Sequence, residues 1–410
     1  MRQTTMLRPE YSQKFSCIGA ACEDTCCAGW IVGIDQATYE KYQAIPQGPL
    51  RALIERSIER TEAGASPAQF AVIRQLPSHA CPFHSADRLC QIQVEHGEGF
   101  LSPTCANYPR TAHTIDKLEE QSLMLSCPEA ARLVLTNRNL LAPLGTGVYH
   151  FTWDETASVS DPRFYFWPIR EFTIGLVRNR AYPLWQRLFL LGTFVRRLDG
   201  IVRGEVDRTI PAFLRDFAAA TASGNLRASM ETVPAALGLQ LEIVLRFVNL
   251  RLGNAFLGPR LTECLTAFAS GVGDDPEMPM ERRIERYATA YRDHFLPFIL
   301  KHPHVLENYL VNNLFRGLFP FGDRLRDPTA PLQMIREFSA LAIQFSLIKG
   351  LLIGVAGYYK RAFSVEHVVQ TIQTATKHFE HFPEFLLQAQ QLLAMKNLDN
   401  APGLTMLLRN

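Results

Sequence analysis

The 410-residue chain carries 42 Lys and Arg against 40 Asp and Glu, a formal charge of +2, with 47% hydrophobic and 20% charged residues. A chain of this length buries a substantial core, and its ordinary globular usage excludes a disordered protein. The near-zero net charge gives no support to a nucleic-acid or acidic-membrane partner.

The opening stretch MRQTTMLRPEYSQKF has no apolar segment of the kind a signal peptide needs, so the chain is read as cytoplasmic. Asp35 is placed as the cap of a helix running through Ala37, Tyr39 and Tyr42. Leu50, Leu53, Ile54 and Ile58 then repeat at helical spacing. A polar loop over 62–69 leads to a strand predicted over Phe70–Leu76 and a second over Cys90–Val94, the two closing a small hairpin. Cys127-Pro128-Glu129 opens a helix, with proline at the first position and glutamate in the first turn.

From about Phe164 onward helical patterns dominate. Helices are predicted over Pro183–Arg203, Pro211–Thr221, Met230–Leu252, Glu281–Lys301, Pro303–Phe319, Pro331–Arg361, Val365–Phe382 and Pro383–Met395. Leu306, Leu310, Leu314 and Leu318 form a core stripe, and His302-Pro303-His304 is a helix-start turn. Leu341–Tyr359 is nearly long enough to span a bilayer, but Lys349 would sit at its centre beside Gln344, so it is read as a buried helix without membrane insertion. Gly350, Gly354 and Gly357 lie within that helical pattern and mark close helix packing; a nucleotide fingerprint would follow a strand. The predicted fold is mainly α: an irregular cysteine-rich module over 1–140, a linker turn at Leu144–Gly147, and a multi-helix domain over 141–410.

Eight of the nine cysteines lie between Cys17 and Cys127, and the rest of the chain holds only Cys264, which reads as a small buried residue in a helix. Nothing in the sequence indicates export, so clustered thiols point to metal ligation before disulfides. The candidate ligands are Cys17, Cys22, Cys26, Cys27, Cys81, Cys90, Cys105 and Cys127, enough for two four-coordinate sites or one with spares. Adjacent residues rarely direct both side chains at one metal, so Cys26 and Cys27 are expected to serve different partners. Zinc sites commonly show paired C-x2-C units and none is present, which places an iron–sulfur cluster ahead of zinc. His79, His84, His96 and His113 are the histidines that could complete a mixed site, and are read first as ordinary polar loop residues.

The segments FSCIGAACEDTCC (15–27), CPF (81–83), CQI (90–92) and PTCANYP (103–109) resemble cysteine-rich zinc- or iron-chelating domains, with Ser102 where that pattern has arginine. A fuller resemblance is to the flagellin lysine N-methylase family. It rests on CCAGW (26–30), IDQATY (34–39), GEGFLS (97–102), TCANYPR (104–110), LSCPEAA (125–131) and ENYLVNNLFRGLFPF (307–321), and so reaches both halves of the chain. The resemblance implies methyl transfer from S-adenosylmethionine to lysines of flagellin, and a 4Fe-4S cluster in the enzyme. The radical signature C-x3-C-x2-C is incomplete: Cys22 and Cys26 supply its first half, but position 29 is glycine.

A neutral lysine amine is already a nucleophile and a sulfonium methyl already an electrophile, so polar displacement needs only alignment and removal of a proton. No residue is assigned to that proton or to the S-adenosylmethionine pocket. Trp30, Tyr108, Trp153, Tyr165 and Trp167 are candidates to line a lysine channel, with packing as their expected role. The reading from a different class is a non-catalytic zinc- or iron-binding protein, which the long helical domain disfavours.

Overall fold

The computed structural model describes residues 5–61, 66–115, 118–140, 162–206, 208–252, 257–327 and 329–410. The expected boundary at 140/141, the turn at Leu144–Gly147 and Trp153 lie outside them. The fold is mainly α, with two three-stranded sheets confined to the first third of the chain among the described residues.

In one sheet Leu118–Leu123 lies between Thr5–Leu7, parallel to it, and Arg110–Ile115, antiparallel. In the other, Ala71–Ile73 lies between Val32–Ile34 and Ile58–Arg60, antiparallel to both. The strand expected over Phe70–Leu76 is therefore present in shortened form, but Cys90–Val94 is not its partner. That segment opens the helix Gln91–His96, which Gly97 ends at φ +83°. The alternation of Ile92 and Val94 misled: two residues apart, they fall on opposite sides of a helical turn, and Ile92 is buried while Val94 is 66% exposed. Ile58, expected on a helix face, instead begins a strand after the helix Pro49–Ser57. The helix expected over Met230–Leu252 is interrupted, as Arg227–Glu231 and Leu237–Leu252, with Pro234 in the gap where an amide donor would be needed.

Asp35 caps Gln36–Gln43 as expected, accepting from the Thr38 amide at 3.0 Å and the Thr38 hydroxyl at 2.7 Å. Asp35→Ala should cost about 1 kcal/mol in a denaturant titration, while Asp35→Asn should retain most of the stability.

Two hydrophobic cores form. The smaller gathers Val32, Ile34, Tyr42, Leu50, Ile54, Ile73, Phe83 and Ile92. The larger runs from Tyr11 and Phe15 through Leu123–Leu135 to Leu408, so both flanks of the cysteine-rich region are built into the helical bundle. At its centre the helix Met334–Tyr359 packs on Leu184–Val202, Leu237–Leu252, Pro259–Val272, Met280–Ala290 and Val365–Ala375. It is long and apolar enough to cross a membrane, yet 83% of its most apolar stretch is buried inside the molecule. Gly350 and Gly354 serve close packing, as expected: a methyl group on either would strike Val244 or Phe268 at 2.3 Å.

The helix His304–Arg316 carries more than its leucine stripe. Glu307 pairs with Arg180 and Arg187, Asn308 donates to the Val134 carbonyl at 2.9 Å, and Asn312 donates to the Leu123 carbonyl while accepting from Tyr11. Asn308 and Asn312 of the ENYLVNN segment thus tie the cysteine-rich flanks to the bundle, whereas the neighbouring Asn313 amide nitrogen is buried without a hydrogen-bond partner.

Candidate functional site

The eight cysteines of the first third arrive from five short segments. Cys17, Cys22, Cys26 and Cys27 sit on an irregular loop with a single turn of 3-10 helix, Gly19–Ala21. Backbone bonds pin its far end: Cys81 donates its amide to the Cys27 carbonyl at 2.7 Å, and Ala28 bridges Ala80. Cys90 and Cys127 each stand at the N-terminus of a helix, Gln91–His96 and Pro128–Leu135, where free amides favour a thiolate. Cys105 lies in the helix Pro103–Asn107, whose cap is the Ser102 hydroxyl, the residue that departs from the chelating-domain pattern.

These segments enclose two adjoining cavities. The first, about 450 Å³, is mainly apolar and is lined by Cys26, Cys27, Cys81, Cys90 and Cys105 together with Trp30, Tyr42, Phe83, Tyr108 and His381. The second, about 400 Å³, is more polar and is lined by Cys17, Cys22, Cys26, Cys27, Cys90, Cys105 and Cys127 with Asp24, His84 and Arg88. All eight predicted cysteines therefore line one or both cavities, and Cys26, Cys27, Cys90 and Cys105, with Gln93, Leu101, Tyr108 and Arg110, form the partition common to the two. All are free thiols. Among the described residues, no three Cys, His, Asp or Glu side chains close around one point as a single-ion site requires. Cys264 lies apart, buried in the helix Pro259–Val272, as expected.

Electrostatics set the thiols against one another. Burial, and then the charge of neighbouring thiols, raises Cys81 to about 11 despite amide donors from Phe83 and His84, and burial likewise lifts Cys105 to about 11 and Cys127 to about 12. Cys26 alone moves down, to about 7, chiefly because Cys27 donates a hydrogen bond to it; Cys27 is correspondingly raised. The site thus holds thiols close enough to repel as anions, in surroundings that disfavour uncompensated charge.

Only one of the four nearby histidines lines a cavity. His84 approaches the Thr25 hydroxyl at 3.5 Å, whereas His113 bonds the Arg316 carbonyl at 2.8 Å and His96 stacks on Phe100. Of the aromatic candidates, Trp30 and Tyr108 face the first cavity with ring centroids 5.3 Å apart, while Tyr165 and Trp167 are core residues.

Sequence reasoning missed Asp24, Lys377, Gln373, Ser126 and His381. Lys377 donates to an Asp24 carboxylate oxygen at 2.9 Å and to the Thr25 carbonyl at 2.7 Å. Gln373 donates to the other Asp24 oxygen at 2.9 Å and to the Ser126 carbonyl at 2.8 Å. Desolvation pushes the Asp24 carboxyl up, but the Lys377 charge and these bonds outweigh it and hold it below the usual range. His381 packs tilted against Trp30, ring centroids 5.2 Å apart, and meets the Ser126 hydroxyl at 2.9 Å. One signal was available: TKHFEH (376–381) places four ionisable side chains in an otherwise apolar helical stretch.

A family model described as the FliB lysine N-methylase C-terminal domain matches residues 170–407. The chain belongs to the FliB lysine N-methylase family. Family members with curated descriptions include a lysine-N-methylase of Salmonella typhimurium, 28% identical over 267 residues covering 63% of this chain and 65% of that protein. A lysine-N-methylase of Salmonella choleraesuis is similar to the same extent. The flagellar biosynthetic protein FliU of Salmonella muenchen is 35% identical over 144 residues, 35% of this chain and 83% of the relative. The chain thus spans 65% of the length of the two lysine-N-methylases. No solved structure matches it.

Proposed function

We propose that this FliB-family chain is a cytoplasmic protein-lysine N-methyltransferase that transfers methyl groups from S-adenosylmethionine to flagellin and holds an iron–sulfur cluster, of the 4Fe-4S type, on its cysteines. The observation that carries the proposal is the convergence of eight free thiols, drawn from segments up to 110 positions apart, on two adjoining cavities of different polarity, with four of the thiols common to both. The relatives' names supply the lysine chemistry and the link to the flagellum.

The donor set fits such a cluster. It consists of soft thiols, and their mutual repulsion would be relieved by bound cationic iron. Cys26, Cys27, Cys90 and Cys105, common to both cavities, are the residues best placed to hold the group, with Cys81 on the apolar side and Cys17, Cys22 and Cys127 on the polar side. When bound, the cluster supplies an electron-transfer centre or a Lewis-acidic iron.

The two cavities suit two substrates. Among the described residues lining the apolar cavity none is Asp or Glu, so a lysine side chain entering beside Trp30 and Tyr108 finds no carboxylate to hold its proton. Desolvation there favours the neutral amine, the nucleophilic form. The polar cavity offers Arg88 and Glu98 to the charged groups of an amino-acid cofactor. In polar transfer, which this arrangement favours, the amine nitrogen bonds the methyl carbon, the carbon–sulfur bond breaks, S-adenosylhomocysteine leaves, and the nitrogen loses one proton.

The test is flagellin incubated anaerobically with the iron-loaded chain and S-adenosylmethionine, read by mass spectrometry. Lysines should gain steps of about 14 Da each, one hydrogen replaced by methyl. Cys26→Ser should cut the rate at least about 100-fold and lower the iron content. Equal yields of S-adenosylhomocysteine and methyl groups without reductant support polar transfer; dependence on dithionite with release of 5′-deoxyadenosine would overturn it. No methylation by the loaded chain would leave the non-catalytic metal-binding reading.

A further inference from the structure

The loop bearing Cys22, Cys26 and Cys27 has little regular structure of its own, and its position depends on what grips it. Glu23 is held by Arg132, and Arg88 donates to the Cys22 carbonyl, both at partly exposed positions. The deep attachment is different. Lys377 and Gln373 stand one helical turn apart, at the point where Val365–Ala375 passes into the π-helical turn Thr376–Glu380, and both are buried. Between them they bind both oxygens of Asp24, the Thr25 carbonyl and the Ser126 carbonyl. Two cysteine-bearing segments, 22–27 and 126–127, are thereby fastened to one face of one helix.

The π-helical turn shapes this face. It inserts an extra residue into the helical ladder, and such turns concentrate at functional sites. On the bundle side of the turn Glu380 accepts from Tyr309 and Arg316, both at 3.1 Å. On the cavity side Lys377 stands 5.8 Å from the Trp30 ring centroid. The helix that reads the bundle's packing through Glu380 therefore also sets the cysteine loop through Lys377.

We propose that Asp24, Lys377 and Gln373 form a latch, with Lys377 a positioning residue that places the Cys22–Cys27 loop against the partition of the thiol site. The proposal rests on the reading that these thiols act together, and it extends that reading by assigning their alignment to the helical bundle. Asp24 is partly buried, and its charge is compensated by the Lys377 ammonium group, which also closes the Thr25 carbonyl. Removing either partner leaves the other charge uncompensated, so the loop is released into water.

The experiment is residue-resolved alkylation of the reduced, metal-free full chain with iodoacetamide, followed by mass spectrometry. Asp24→Asn and Lys377→Met should each speed labelling of Cys22 and Cys27 by about tenfold or more through local opening. Cys264, buried in the bundle, should keep its rate, and Lys377→Arg should restore slow labelling of the loop. Gln373→Leu should release Cys127 as well, because Gln373 alone of the three holds Ser126. The Asp24→Asn/Lys377→Met double variant should label no faster than either single one. Unchanged labelling of Cys22 and Cys27 in both single variants overturns the latch. So does a parallel rise at Cys264, which would make Lys377 a general packing residue. Since no metal or methyl donor is present, a failed latch is distinguishable from a failed methyltransferase reading, which iron content and flagellin methylation report separately.

Discussion

Gly271→Ala is expected to be among the most destabilising single-methyl changes this chain can suffer. Gly271 lies in the helix Pro259–Val272 where it crosses Met334–Tyr359, and a methyl group there would come within 1.8 Å of the Gly354 carbonyl oxygen and 3.0 Å of the Tyr358 amide. Both obstacles are backbone in the central helix, so no side chain can rotate away. Relief requires the two helices to separate, opening contacts all along a buried crossing. Overpacking of this kind costs about 3 kcal/mol or more. The control is Gly175→Ala, in the helix Phe166–Arg178, where a methyl group meets nothing within 4 Å. There the same chemistry should stabilise by about 0.5–1 kcal/mol, because glycine is the poorer helix former. Denaturant titrations of the two variants should diverge in sign; destabilisation of similar size in both would show that the crossing is looser than the structure has it.

Lys349 should make stability depend on pH in a way that Lys349→Met abolishes. Its ammonium group is fully buried in the central helix and donates to the Leu407 and Leu408 carbonyls at 3.3 and 3.0 Å, the last turn of the helix Ala401–Leu408. Carbonyls at a helix C-terminus favour a cation, but desolvation dominates and brings the pKa down from 10.5 to about 7. Above that value the folded chain holds Lys349 neutral while the unfolded chain keeps it protonated up to the ordinary lysine range. Unfolding then takes up a proton, so this residue's contribution to stability rises with pH across the window. Below the folded pKa both states carry the charge, and the folded state bears its desolvation in full. The wild type should therefore gain on Lys349→Met by up to about 1.4 kcal/mol per pH unit between about pH 7 and 10. At about pH 6 the variant should equal or exceed the wild type, since removing a buried charge without an acidic partner is often neutral or stabilising. A constant gap between the two proteins over that range would show that the amine stays charged when buried.

Much of the architecture was written in local signals. Asp35 and the Cys127-Pro128-Glu129 start were legible because a cap is a contact between near neighbours in sequence. Leu306, Leu310 and Leu314 announced the buried side of His304–Arg316 through their four-residue spacing. Gly350 and Gly354 were readable as packing residues because their surroundings were helical. The failures had the same root. Ile92 and Val94 alternate like a strand, yet six residues before a glycine can equally close one helical turn, and the burial of Ile92 beneath Phe83 and Tyr42 decided it.

The sequence by itself determined that eight cysteines would occupy one region, that a long helical half would follow, and to which family the chain belongs. Composition, periodicity and short signatures survive without knowledge of the fold. Only the tertiary structure decided which thiols share a cavity, that Trp30 and Tyr108 face it, and that from the far end of the chain His381 lines it while Lys377 and Gln373 grip the cysteine-bearing segments. The bond from Gln373 to Asp24 joins residues 349 positions apart. Neither side chain carries a local mark of that partnership, because a glutamine and an aspartate look like surface residues until the elements around them close.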